Sequence, residues 1–328
     1  MALLHYYVHG RGRGHASRSR VIIAALQSAG HEVIAFAGRD AEALLRDQTT
    51  TYGVESVVPS MGARGPLLVT RRVREALTAI RRDGAELVLS DGDLPGLLAA
   101  TASRRPSIAV GHGLVFYCCE RPPDVPAGPW HRESRKAAVS TVGANRRVAV
   151  NFVPLRTKRG RLARPALELG TATRRTSDGP LLCYFRDGAP DALLRRLAAL
   201  PMDVVLFAAT PPTVPGIHHE MPSRSRFIEV QRQARAVVAT AGSQLMSECV
   251  ALGVPLLAAH APDDDEQALN VAMLRRAGLG DGCPLPQLDD ARLEAFFARP
   301  TPEPMQWDAP DVATVVGEEV DALLGGAR

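Results

Sequence analysis

The sequence has few cysteines, few aromatic residues and no long hydrophobic run, and each shortage argues against a class of protein. The five cysteines are odd in number, two are adjacent (Cys118 and Cys119), and none show the CxxC spacing typical of zinc ligands. This disfavours a disulfide framework and a zinc site, and we expect a reducing, cytoplasmic setting. No apolar run approaches the ~20 residues that a membrane-spanning helix needs.

Lysine is also scarce, because it occurs only at positions 136 and 158, so arginine supplies most of the positive charge. Residues 1–164 hold 25 basic and 13 acidic residues, whereas residues 165–328 hold 14 and 22. Two interpretations of this asymmetry stay open. The basic first half faces an anionic partner, either an acceptor or a membrane surface that the protein contacts peripherally, or its arginines are simply solvated. Nucleic acid is a poor partner, since aromatics are 5% and no zinc-finger or RNA-recognition motif occurs.

Strand-like and helix-like segments alternate along most of the chain, which predicts parallel sheets covered by helices. The N-terminal segment 1–7 has no basic leader and predicts a buried strand rather than a signal peptide. We predict an N-terminal domain at 1–153, a Gly- and Pro-containing linker at 154–180, and a second α/β domain at 181–310. Residues 311–328 are predicted to add a last helix that packs back on the first domain.

The second half carries the clearest motif, a strand followed by a glycine turn and a helix. Residues 236–240 read as a buried strand, and Gly242 with Ser243 opens the helix that follows. Exposed N–H groups and the dipole at a helix N-terminus favour a phosphate there. Glu248 is placed to accept hydrogen bonds from ribose hydroxyls. Glu266 and Gln267 form a carboxylate–amide pair that suits the vicinal hydroxyls of a sugar.

Segment 236–280 resembles the donor-binding half of GT-B glycosyltransferases. The resemblance lies in residues 240–243 and 247–248, in Gly253-Val254-Pro255, and in residues 266–270. It implies two doubly wound, Rossmann-like domains that face a central cleft. It also implies a nucleotide-sugar donor, UDP in many relatives, as a substrate and no cofactor or metal ion.

The N-terminal loop Gly10–Ser19 resembles the glycine-rich loop and histidine that open the acceptor domain of the same superfamily. The two motifs together are most similar to a bacterial and archaeal group related to the lipid-linked peptidoglycan GlcNAc transferase and to UDP-glycosyltransferases. The chain departs from the pattern at Thr240, where a histidine is common, and near Arg18, where a proline is common. The resemblance therefore leaves the nucleotide and the acceptor open, and a lipid-linked acceptor is allowed.

Transfer of a sugar needs a base, and His15 at the start of the first helix is our candidate. A helix N-terminus disfavours the charged imidazole, so the ring stays available to take a proton. Asp91, at the end of a neighbouring strand, is expected to orient the ring. The alternatives are that His15 only binds an anion or the acceptor, and that Asp91 caps the helix that follows it.

The remaining candidates each have a structural alternative. Arg13, Gly14 and His112 are predicted to bind the acceptor, although His112 between two glycines also fits a chain turn. Arg186 is predicted to meet the donor phosphate, with an ion pair to Asp187 as its alternative. His260 fits either a contact with the donor sugar or a strand end.

Other functions fit less well. A dinucleotide motif would need glycine where His15 stands, and the sequence Asp91-Gly92-Asp93 is too short to indicate a metal-dependent GT-A enzyme. Three alternatives stay open on the GT-B scaffold: a nucleotide-sugar hydrolase, a 2-epimerase, and a non-catalytic nucleotide-sugar binder.

Overall fold

The computed structural model describes residues 1–10, 13–57, 62, 64–167, 178–185, 188–305 and 307–326 of the chain. It divides into two compact units. The first consists of Met1–Pro122, His131–Glu168 and Asp308–Arg328, and the second of Pro123–Trp130 and Leu169–Trp307. In the described part of the chain, no helix combines the length and hydropathy that a membrane span requires.

The first unit is built on a seven-stranded sheet in which every pairing is parallel. Its strands are β1 (Leu3–Val8), β2 (Glu32–Ala37), β3 (Thr51–Gly53), β4 (Leu87–Asp91), β5 (Ser107–Gly111), β6 (Arg146–Val150) and β7 (Arg161–Ala163). The helices between these strands are α1 (Arg13–Ser28), α2 (Arg39–Leu45), α3 (Arg64–Asp83), α4 (Leu94–Ala102), α5 (Val115–Cys118) and α6 (Ala127–Ser140).

The second unit is built on a six-stranded parallel sheet. Its strands are β8 (Leu181–Tyr184), β9 (Val204–Phe207), β10 (Ile217–Glu220), β11 (Ala236–Thr240), β12 (Leu256–His260) and β13 (Gly280–Pro284). Its helices are α7 (Asp191–Ala198), α8 (Arg224–Gln233), α9 (Ser243–Leu252), α10 (Asp265–Arg276) and α11 (Asp290–Phe297). Two parallel sheets with intervening helices confirm the predicted doubly wound architecture.

Both sheets reverse their strand order once, and this reversal decides where a site can form. The first sheet has the order β3-β2-β1-β4-β5-β6-β7, and the second β10-β9-β8-β11-β12-β13. The connections leave β1 and β4, and likewise β8 and β11, in opposite directions across the sheet. Loops at the carboxyl ends of such a strand pair splay apart and leave a crevice, which is where doubly wound sheets bind ligands.

Alternating side chains of β1 build the core on both faces of the first sheet. Leu4, Tyr6 and Val8 join the cluster that contains α1, whereas Tyr7 packs with residues of α3 and α4 on the other face. A final helix, α12 (Val312–Gly325), closes the first cluster with valines that include Val316. The C-terminal helix therefore belongs to the first unit.

The chain leaves the first unit later than the linker predicted at 154–180. Strand β7 lies inside that range and pairs with β6 at the edge of the first sheet. It is only three residues long and follows Gly160, whose φ of +69° turns the chain. A short, Arg-containing edge strand has little apolar periodicity, so the sequence pattern missed it.

Candidate active site

The first strand-order reversal brings together three side chains from β4 and α1. Asp91 ends β4, His15 lies in the first turn of α1, and Arg18 lies one turn further along the same helix face. His15 Nδ1 is 2.7 Å from Asp91 Oδ1. The Arg18 guanidinium donates to both oxygens of the same carboxylate, from Nε to Oδ2 at 2.8 Å and from Nη2 to Oδ1 at 2.7 Å.

Asp91 is ionised in this network even though it is completely buried. Burial alone would raise the pKa of its carboxyl, but the charges and hydrogen bonds of Arg18 and His15 outweigh burial and lower the pKa to about 2. Arg18 is also buried, with 7% of its side chain exposed, whereas 32% of the His15 side chain is exposed. The histidine is thus the one member of the trio that an external molecule can reach.

A carboxylate can only accept hydrogen bonds, so the His15 nitrogen that faces it is the protonated one. This tautomer makes Nε2 the basic nitrogen of the neutral ring. The pairing is the one predicted for a histidine base and its orienting carboxylate. The alternative role of Asp91 as a helix cap is not seen, because the Asp93 side chain accepts from the Gly96 amide at 2.9 Å and is the N-cap of α4.

His9 is a neighbour of His15 that the sequence pattern did not single out. It directly follows β1, and its ring centroid is 5.6 Å from that of His15. Its Nε2 lies 3.2 Å from the Val57 carbonyl oxygen. Burial, followed by the charge of His15, lowers its pKa. The sequence signal that could have identified His9 is its position directly after β1, one of the two strands at which the strand order reverses.

Two glycines give this trio the space it needs. Gly92 has a φ of +77°, and a Cβ on it would lie 3.2 Å from His9 Cβ and 3.3 Å from His15 Cε1. A Cβ on Gly111 would lie 3.3 Å from Leu114 Cδ1 and 3.5 Å from Asp91 Oδ1. The shortest distance at each glycine, 3.2 Å at Gly92 and 3.3 Å at Gly111, is shorter than an ordinary van der Waals contact. A side chain at either position would therefore displace its neighbours.

The second reversal carries the predicted glycine turn. Gly242 is the N-cap residue of α9 and is exposed, and its N–H donates to the Thr240 carbonyl at 2.7 Å. Of the two amides predicted to cradle a phosphate, that of Gly242 is therefore engaged within the turn. The amides of Ser243 and Gln244 are the first of the helix, where no intrahelical acceptor exists. These two amides lie at the N-terminus of α9, which is the positive end of the helix dipole.

Glu248 lies in α9 and is paired with an arginine that the sequence analysis did not name. Arg224 Nη2 donates to Oε1 at 2.6 Å and Nη1 to Oε2 at 3.2 Å, and Gln244 Nε2 donates to Oε1 at 3.0 Å. Glu248 is 1% exposed, whereas the Arg224 side chain is 37% exposed. The structure thus presents the predicted ribose carboxylate together with a partly open guanidinium from the start of α8.

The predicted sugar contacts open α10. Asp264 caps this helix by accepting from the Gln267 amide at 3.0 Å, and Glu266 and Gln267 occupy its half-buried first turn. Among the described residues, the buried Gln267 Oε1 has no hydrogen-bond partner. Asn270 Nδ2 donates to the Ala241 carbonyl at 3.3 Å and so ties α10 to the glycine turn. Within the described ranges, no group of acidic, histidine or cysteine side chains is arranged to hold a metal ion.

The two remaining histidine candidates, His112 and His260, are buried and contact backbone carbonyl oxygens. His112 is 5% exposed, its Nδ1 lies 2.9 Å from the Val150 carbonyl, and its ring packs against Phe116 and Phe152. The acceptor contact predicted for His112 stays a prediction. His260 is buried, with Nδ1 2.8 Å from the Ala261 carbonyl.

Two predicted arginines, Arg13 and Arg186, have side chains that lie outside the described part of the structure. Arg13 begins α1 and the half-buried Gly14 follows it, one residue before His15. The side chain of Arg13 lies outside the described part of the structure. Arg186, the predicted phosphate contact after β8, also lies outside the described residues, as does its alternative partner Asp187.

A family model described as "Glycosyl transferase family 1" matches residues 68–300, more than half of the chain. The chain belongs to glycosyl transferase family 1. The matched region of this family-1 glycosyltransferase includes Asp91, Gly242 and Glu248, whereas His15 and Arg18 precede it. A search of curated protein sequences found no match.

Solved structures of several glycosyltransferases share the fold of this chain over most of its length. MurG of Acinetobacter baumannii has a TM-score of 0.61 at 17% identity, covering 90% of this chain and 89% of MurG. SnogD of Streptomyces nogalater has a TM-score of 0.66 at 15% identity, covering 98% and 100%. SsfS6 of Streptomyces sp. SF2575, solved with thymidine diphosphate, has a TM-score of 0.63 at 17% identity, covering 98% and 100%. At these identities the likeness establishes the GT-B fold, with two Rossmann-like domains.

Proposed function

We propose that this glycosyltransferase moves a sugar from a nucleotide-sugar donor to an acceptor hydroxyl, with His15 as general base. The observation that carries the proposal is the 2.7 Å contact between His15 Nδ1 and the buried Asp91 carboxylate. That contact assigns the basic lone pair to Nε2 on a ring that is partly exposed. A histidine held in this way is suited to proton abstraction, which typically contributes 10²- to 10⁴-fold in rate.

The reaction is a single displacement in which His15 Nε2 takes the proton of the acceptor hydroxyl. The acceptor oxygen forms a bond to the anomeric carbon of the sugar, and the bond from that carbon to the diphosphate oxygen breaks. The nucleoside diphosphate leaves with the bonding electron pair. Its developing charge needs hydrogen-bond donors, and the backbone amides of Ser243 and Gln244, which lack an intrahelical acceptor at the α9 N-terminus, are suited to this task.

The donor is proposed to be a nucleotide sugar bound mainly by the second unit. Thymidine diphosphate is named with the structures of two similar proteins, VinC and SsfS6. In this chain, Glu248 is proposed to accept from the ribose hydroxyls, and Glu266 and Gln267 to contact the sugar. Gln267 Oε1 is buried and has no hydrogen-bond partner among the described residues, which supports a polar ligand at that point. Arg186 remains a proposed phosphate contact.

The acceptor is proposed to be an anionic or lipid-linked alcohol, met by the excess of arginine in residues 1–164. Gly14 and Arg13, next to the base, are proposed acceptor contacts. We further propose catalysis without a metal ion, in a cytoplasmic enzyme that contacts the membrane only at its periphery. The helix dipole and backbone amides of α9 would take the place of a divalent cation at the diphosphate.

The first test is a thermal-shift and calorimetric titration of the full chain with UDP, GDP, dTDP, ADP and their common sugars, with and without Mg²⁺. A ligand that binds only the folded state raises Tm by mass action, so one nucleoside diphosphate should do so without Mg²⁺. Candidate acceptor alcohols are then added, and transfer is followed by mass spectrometry. Free sugar in the absence of acceptor would indicate a hydrolase, and no binding of any nucleotide would overturn the proposed donor site.

A further inference from the structure

Position 18 holds a buried arginine that contacts both halves of the histidine–aspartate pair. The Arg18 guanidinium makes two hydrogen bonds to Asp91, and its Nη2 also lies 3.4 Å from His15 Nδ1. Because His15 Nδ1 must carry its proton to meet the carboxylate, Arg18 and His15 present two donors to each other. Their contact is therefore one of charge rather than a hydrogen bond.

We propose that Arg18 is a positioning residue that fixes the Asp91 carboxylate toward His15 and supplies the counter-charge that balances this buried carboxylate. The inference rests on the proposed function, because it explains how the carboxylate that orients the proposed base is held in place. It adds a third member to the pair and gives the pair a definite charge balance.

The charge balance follows from the number of ions in the buried pair. Arg18 and Asp91 are oppositely charged and bonded through two parallel contacts, so together they are electrically neutral toward a neighbour. A proton added to His15 would place a second cation beside the guanidinium. Without Arg18, the buried carboxylate would be unpaired, and a protonated His15 would become its natural counter-ion.

Two of the other titratable groups around the trio, Tyr6 and His9, are uncharged near pH 7. Tyr6 of β1 is buried, and burial raises the pKa of its hydroxyl, which keeps it protonated. His9 follows β1, and burial lowers its pKa, with the charge of His15 acting in the same direction and those of Asp93 and Asp91 opposing it. The charge of Asp93, the N-cap residue of α4, is itself paired with that of Arg72, with Nη2 3.2 Å from Oδ2. In the described part of the chain, the permanent charges seen against His15 are thus those of Asp91 and Arg18.

The test is an NMR titration of the full chain with ¹³C-labelled histidine, which needs no substrate. The His15 resonance among nine histidines is assigned by its loss in His15→Gln. In Arg18→Met, the midpoint at which the His15 ring titrates should rise by about one pH unit or more, because a unit charge a few ångströms away changes a protonation equilibrium at least about tenfold. Arg20→Met on the same helix is the matched control, since Arg20 bonds to the Leu44 carbonyl and should leave the midpoint unchanged.

Two further variants separate charge from folding and from position. Arg18→Met combined with Asp91→Asn removes both ions and leaves no unpaired buried charge, so the His15 midpoint should return to within about half a pH unit of the wild-type value. Arg18→Lys keeps the charge but not the paired contact. It should keep the wild-type midpoint while lowering kcat, with KM for the donor changed less than about twofold.

The inference is overturned if folded Arg18→Met titrates at His15 as the wild type does, or if the double variant titrates as Arg18→Met alone. Should Arg18→Met not fold, the double variant and Arg18→Lys decide, because each lacks the unpaired carboxylate. If no donor is ever bound or transferred, the proposed function fails on its own, and the titration still gives the answer for Arg18. Where transfer is measured, the acid limb of the kcat profile should move with the NMR midpoint.

Discussion

Removing the carboxylate of Asp91 should produce a loss of stability that depends on pH in a specific way. The pKa of the Asp91 carboxyl is lowered from 3.8 to about 2 in the folded protein, against the opposing effect of burial, by Arg18 and His15. A lowered carboxyl pKa stabilises the fold above the unfolded value and loses that contribution as pH falls through the folded value. The shift of just under two pH units corresponds to about 2 kcal/mol, fully present at pH 7 and about half lost by pH 3.

Asp91→Asn mimics the protonated state at every pH, so the gap in stability between wild type and variant should narrow as the solution is acidified. We expect the gap at pH 3 to be smaller than at pH 7 by roughly 1 kcal/mol. Any constant cost of leaving Arg18 without its carboxylate cancels in this comparison. Urea unfolding at pH 7, 5, 4 and 3 would measure it.

Far-UV circular dichroism follows the unfolding transition, because both units consist of helices and strands. Asp47→Asn is the control, since Asp47 is exposed. A gap that stays constant from pH 7 to pH 3, or an equal change in Asp47→Asn, would refute the reasoning.

Three further predictions concern ligand binding and turnover. His15→Gln should lower kcat by 10²- to 10⁴-fold and leave the nucleotide Kd within about twofold, as separate calorimetry and transfer assays would show. Glu248→Gln should weaken nucleotide binding by about tenfold, measured by calorimetry, because a charge-assisted bond to the ribose becomes a neutral one. Gly242→Ala should leave Tm unchanged, since its Cβ would meet nothing closer than the Thr240 carbonyl at 3.9 Å, yet it should weaken nucleotide binding if a phosphate approaches the turn. Equal nucleotide affinity in wild type and Gly242→Ala would place the phosphate elsewhere.

The elements at the centres of the two sheets could be predicted because their strands are buried on both faces. Strands such as β4 and β11 are short runs of apolar residues bounded by turn signals, which is the pattern of a parallel sheet. The edge strands of the second sheet, β10 and β13, lack such a run of apolar residues. Strand β10 has the sequence Ile-His-His-Glu, and β13 contains Gly280 and Gly282, where the carbonyl oxygens of β12 leave no room for a Cβ. Their strand character comes from backbone pairing and not from side chains.

The histidine–aspartate pair was predicted from strand order, whereas its arginine was not. Arg18 was noted only as a departure from a family pattern, although its position three residues after His15 puts both on one face of α1. That face could be matched to Asp91 once β1 and β4 were known to be neighbours, with Val8 in register with Asp91. Arg224 was missed for a different reason. Its partner Glu248 lies on a separate helix, and no sequence spacing links α8 to α9.

The sequence Asp91-Gly92-Asp93 shows how neighbouring carboxylates acquire different tasks. Each is buried and each has its own arginine, Arg18 for Asp91 and Arg72 for Asp93, so neither is left as an uncompensated charge. Asp93 uses its remaining acceptor on the Gly96 amide and is thereby committed to starting α4. Asp91 uses its remaining capacity on His15, the one exposed member of the network. What distinguishes the two is therefore not burial or ion pairing, which they share, but the reactive side chain that the carboxylate still has room to hold.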